Sequence, residues 1–246
     1  MTSSADRQGA WTAVQRGFEL RLLFGDGASR AQYAALHLDS SYFRLCPSPD
    51  SGWGTSAVLL PALWWHDQLL QGAAVAIDWR SEGSDLLLSA RGRIALLDVD
   101  LEARVSPPTG SHLSIRVSAR TAGEAHLDPR EGEAFRLVTL SSMRIDSRRW
   151  DARSAYADGR SFSLDQPGWI VDARAGRLAS RLGLVGGTSD WKRRAPTVEV
   201  ELDRPRVIGG WLTRGDDPNG DNVSLWCATS AVQAAWSYTL HAWRTT

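Results

Sequence analysis

The chain has 246 residues, 43% hydrophobic and 23% charged, a globular balance that excludes a disordered or fibrous protein. Its 28 basic and 28 acidic side chains cancel, which argues against a nucleic-acid backbone binder. The two cysteines, Cys46 and Cys227, show no zinc-binding spacing and read as buried apolar fillers, and the longest apolar run, 57–65, is broken by Pro61 and too short for a membrane span.

The polar start, Met1 to Arg7, has no apolar signal core. A cytoplasmic location is therefore expected for the chain as it stands, and an exported one if a signal has been removed. Residues 1–15 read as a poorly ordered or peripheral N-terminal segment. A strand follows at Phe18–Phe24. Next, Ser29-Arg30-Ala31-Gln32 resembles a capping box, with Ala31, Ala34, Ala35 and Leu38 at helical spacing, so a short helix is expected near 30–37. Tyr42–Cys46 alternates as a strand. Trp53 then lies in the loop-like Asp50-Ser51-Gly52-Trp53-Gly54, and His66 follows Trp64-Trp65 beside Asp67, a carboxylate able to fix its tautomer.

Period-two alternation governs the middle of the chain, at Ala73–Trp79, Asp85–Ala90, Val99–Val105 and His112–Ala119. Asp98, Asp100 and Glu102 form an acidic stripe along one face of the third of these. Ordinary solvent-facing strands look the same, and that is the preferred reading of the stripe. Its functional alternative is acid–base catalysis, since glycosidases need two carboxylates, about 5 Å apart in retaining enzymes. The spacing resembles the E-x-D-x-E signature of laminarinase-type jelly-roll glycosidases, with Asp98 standing where that signature has Glu.

After a strand at Phe135–Met143, residues 141–159 read as a polar-aromatic loop of the kind that forms a binding rim. Arg149, Trp150, Asp151 and Tyr156 are its candidate ligand contacts, because guanidinium, carboxylate and ring together can hold a polyol. Strands follow at Arg160–Leu164, Trp169–Asp172 and Leu178–Val185. Trp191 and Lys192 sit in the next loop. Thr197–Leu202 carries a second acidic stripe, Glu199, Glu201 and Asp203, also able to serve acid–base work. Beyond a strand at Val207–Leu212, Asp217, Asn219 and Asp221 place oxygens at alternate positions. They are the candidates for a calcium ion, although an Asn-Gly hairpin turn accounts for them more simply. No other cofactor or metal is expected. Val223–Ala228 and Trp236–Trp243 complete the set. Ser230 opens a second capping-box pattern, but the alternation of Trp236, Tyr238, Leu240 and Ala242 favours a strand there.

A dozen or more short strands separated by Gly, Pro, Asp and Ser breaks imply antiparallel pairing, with no crossover helices to support a parallel sheet. The expected fold is all-β: one domain over 1–246, an antiparallel two-sheet sandwich of jelly-roll, concanavalin-like architecture, with one or two short helices. Tryptophan, at 12 against 4 Tyr and 5 Phe, is the compositional outlier. Most of the indoles should fill the core, while those in loops suit stacking on a sugar. Two functions follow. The first is a carbohydrate-recognising sandwich that binds or acts on a glycan, as a hydrolase or lyase if an enzyme. The second is an intracellular isomerase, cyclase or lyase that works on a small organic molecule in a Trp-lined pocket. The expected partner is a glycan or small molecule, with neither nucleic acid nor membrane.

Overall fold

The computed structural model describes residues 9–26, 29–39, 42–46, 56–59, 62–65, 68–70, 72–94, 97–122, 134–146, 149–150, 152–166, 168–172, 179–186, 197–203, 207–214, 222–230 and 235–243. Side chains are described for most of these. The chain opens with β1 (Ala10–Arg16), β2 (Glu19–Gly25), β3 (Ala31–Asp39), β4 (Tyr42–Cys46), β5 (Ser56–Val58), β6 (Ala62–Trp65) and β7 (Gln68–Leu70). It continues through β8 (Ala73–Glu82), β9 (Asp85–Ile94), β10 (Leu97–Val105), β11 (His112–Ala122), β12 (Ala134–Asp146), β13 (Arg149–Trp150) and β14 (Ala152–Ala157). The last third holds β15 (Arg160–Phe162), β16 (Gly168–Asp172), β17 (Arg181–Gly186), β18 (Thr197–Leu202), β19 (Val207–Arg214), β20 (Asn222–Ser230) and β21 (Ala235–Trp243).

These strands form two antiparallel sheets. The larger runs β1-β2-β3-β4-β5-β12-β20-β19-β16, with β6 and β13 paired to β12 and β7 paired to β6. The smaller has nine strands in the order β15-β14-β17-β18-β21-β11-β10-β9-β8. Alternation shows why: along β10, Leu97, Val99, Leu101, Ala103 and Val105 are buried while Asp98, Asp100 and Glu102 are exposed. One hydrophobic cluster takes in side chains of both sheets, including Leu20, Leu36 and Leu140 from the larger and Leu101, Val117 and Leu240 from the smaller. A buried hydrogen bond also joins them, from the Tyr238 hydroxyl on β21 to the Leu59 carbonyl just after β5 (3.2 Å).

Two expectations are corrected, the helix near 30–37 and the loop over 141–159. The helix near 30–37 is strand β3, paired on both sides by β2 and β4. Ser29, read as a helix cap, turns back instead: its hydroxyl and backbone N–H both donate to Asp26 and close the β2–β3 connection. Ladder bonds on two edges, with Ala34 and Leu36 in the core, outweigh helix preferences of a few tenths of a kcal/mol per residue. Of the second capping-box pattern, Ser230 ends β20 and 231–234 lie outside the described residues. Ala235–Trp243 is strand β21, as its alternation predicts, and no α-helix occurs among the described residues.

Of the segment expected over 1–15 to be poorly ordered or peripheral, residues from Ala10 onward form β1, the edge strand of the larger sheet. Trp11 on β1 is buried and meets Phe24 and Tyr33 edge-on, with centroids 5.1 and 6.1 Å away. The polar-aromatic loop expected over 141–159 is mostly strand. β12 runs on to Asp146, β13 pairs back upon its end, and β14 buries Ala155 and Ala157 in the core. Its small alanines, rather than the surrounding charges, decide the structure.

Candidate functional site

The nine-stranded sheet turns its polar face away from the core. On that face β10 lies between β9 and β11, and register sets its neighbours: Asp98 opposite Arg93, Asp100 between Arg91 and Arg120, Glu102 between Ser89 and Ser118. Arg91 Nε donates to Asp100 Oδ1 at 3.3 Å, and Arg93 Nε stands 3.8 Å from Asp98 Oδ1. A groove of about 480 Å³ opens over these rows, floored by Asp100, Glu102, Ser89 and Arg91 and flanked by Asp78 and by Ser118 with Arg120. Asp98 is not among the side chains lining it. The acidic stripe thus contributes two of its three carboxylates to a concave, charged surface.

A second cluster lies on the same face across β14, β17, β18, β21 and β11. Tyr156, a residue singled out from the sequence, projects from β14 above Gly183 of β17. Its hydroxyl donates to Glu199 Oε2. Glu199 is only 9% exposed, a rare burial for a carboxylate without a hydrogen-bond donor beside it. Two residues along β18, Glu201 accepts from Arg181 at 3.0 Å and lies 3.4 Å from His241 Nε2. His241 sits directly across from Glu199 in the β18–β21 ladder. Its other nitrogen, Nδ1, is hydrogen-bonded to His112 Nε2 at 3.0 Å, with the two rings stacked at 5.2 Å. Trp243 closes the edge, 5.0 Å from the His112 ring.

The surroundings bias these groups. Burial, reinforced by the Glu199 carboxylate, pushes the Tyr156 hydroxyl far above its ordinary range, so it stays a proton donor. Burial, then the neighbouring His241, lowers the His112 imidazole and favours its neutral form, against an opposing pull from Glu199. The hydrogen bond from Arg181 holds Glu201 below the usual carboxylate range.

Of the other sequence candidates, Arg149 and Trp150 lie in β13, but their side chains fall outside the described set. Trp53, His66, Asp151, Trp191, Lys192 and the calcium candidates Asp217, Asn219 and Asp221 lie outside the described residues altogether. Sequence reasoning noted the Glu199–Glu201 stripe and, separately, Tyr156, but did not bring them together or link them to Arg181, His112 and His241. His112 and His241 stand 129 positions apart, and only the β11–β21 register brings them together. No family model matches the chain, and no curated protein matches its sequence.

Proposed function

We propose that the two sheets stack as a jelly-roll-type sandwich and that the polar face of the nine-stranded sheet binds a glycan. The observation that carries this reading is the groove over β8–β11, where carboxylates, guanidiniums and hydroxyls alternate across a concave sheet surface. Sugar hydroxyls both donate and accept, so they pair best with Asp or Glu beside Arg and Ser, as at Asp100, Arg91 and Ser89. The single hydrophobic cluster shared by both sheets supports the sandwich. The reading rests on polar groups rather than on stacked indoles: Trp11, Trp226 and Trp236 are buried on their strands, and the side chains of Trp53, Trp150 and Trp191 lie outside the described set. Zero net charge suits a neutral saccharide chain better than a polyanion.

A thermal-shift screen against oligosaccharides and small metabolites tests the proposal. A true ligand raises the melting temperature with concentration, by about 2.7 kcal/mol of stabilisation at a hundredfold excess over Kd. Stabilisation by oligosaccharides is the expected result. Stabilisation by a metabolite alone would favour the small-molecule enzyme instead.

A further inference from the structure

We infer that Glu199, Glu201 and His241 form a binding site for one divalent transition-metal ion of the zinc class, separate from the groove over β8–β11. One carboxylate oxygen from each glutamate and a ring nitrogen of His241 all lie within 4.8 Å of one another. Metal–ligand bonds of about 2.0–2.2 Å bring such donors closer than this, a distance that side-chain rotation can close. An imidazole with two carboxylates is the donor set of zinc-like ions rather than of magnesium or calcium, which prefer oxygen alone.

Each of the three donors already has its own orienting partner. Tyr156 donates to Glu199, Arg181 donates to Glu201, and His112 is bonded to the Nδ1 atom of His241. Ligating side chains in metal sites are held in this way, and a metal on His241 Nε2 would direct its Nδ1 proton to His112. Among the described residues, two carboxylates against the Arg181 guanidinium leave a net negative charge to attract a cation. Glu199 is nine-tenths buried and His241 largely so, which sets this group apart from an exposed acidic patch. Three protein ligands leave open positions for water or a substrate oxygen, the arrangement of reactive rather than purely structural zinc sites.

Titration of the full chain with ZnCl2 and CoCl2, followed by calorimetry and by imidazole 1H–15N spectra, tests the site. The expected result is one saturable equivalent of metal with Co2+ shifting the His241 and His112 ring signals, and no change in any oligosaccharide response. Glu199→Gln and His241→Gln should each weaken binding by at least tenfold, and Tyr156→Phe, which keeps all three ligands, by about 10–100-fold. Unsaturable binding, ring signals that do not move in the wild type, or binding that survives His241→Gln would overturn the inference. The wild-type spectra decide the matter even if a variant fails to fold.

Discussion

Tyr156 lies directly across the β14–β17 ladder from Gly183, and a Cβ placed on Gly183 would stand 2.5 Å from the Tyr156 ring. The ring therefore occupies the space that a side chain at 183 would take. Only glycine lets it lie flat enough for its hydroxyl to reach Glu199 on the strand beyond. A glycine in a strand interior usually weakens the sheet, and here the close approach of an aromatic ring accounts for it. Gly183→Ala should displace the ring and destabilise the fold by about 1–3 kcal/mol in urea unfolding. The same change in a Tyr156→Ala background should cost much less, since the clash is then gone. Equal costs in both backgrounds would rule out the contact.

The Tyr238–Leu59 hydrogen bond links the two sheets inside the core, where an unpaired carbonyl is expensive. Tyr238→Phe should destabilise by about 1–3 kcal/mol while leaving glycan binding intact. Denaturant midpoints and ligand titration of the same variant check both halves of this statement.

Asp158 opens the β14–β15 hairpin turn with φ of +43°, and its carboxylate accepts from the backbone N–H groups of Ser180 and Arg181. One residue thus shapes a turn and ties it to the start of β17. Asp158→Ala should cost about 1–2 kcal/mol, from left-handed strain and lost hydrogen bonds together. Asp158→Asn, which tolerates that conformation and keeps an acceptor, should cost clearly less in the same thermal unfolding assay.

Leu101 and Asp100 are neighbours on β10 with opposite fates, one in the core and one on the groove. Leu101→Ala should destabilise by about 2–5 kcal/mol through the cavity it leaves. Asp100→Asn, whose partner Arg91 is exposed, should shift stability by less than about 1 kcal/mol and act on binding instead.

Much of the fold was legible because period-two alternation reports burial directly. The predicted Tyr42–Cys46 and Thr197–Leu202 match β4 and β18 residue for residue. Failure came where local chemistry pointed one way and pairing another, as at Ser29, whose hydroxyl serves a turn rather than a helix. β14 was hidden because Ala155 and Ala157 are weak apolar signals among charged neighbours. The Glu199 cluster could be read only in part. Its carboxylates are two residues apart in sequence, whereas Tyr156, His112 and His241 reach them through register between strands far apart in the chain.

The most direct test of the proposed glycan-binding face is an oligosaccharide array probed with the wild type and with Glu102→Gln and Arg120→Ala, two substitutions at exposed groove positions that should leave the fold unchanged. The account predicts that the wild type retains one related group of saccharides and that both variants lose at least tenfold in binding at unchanged melting temperature. Failure of the folded wild type to retain any saccharide, or retention undiminished in both variants, would contradict it.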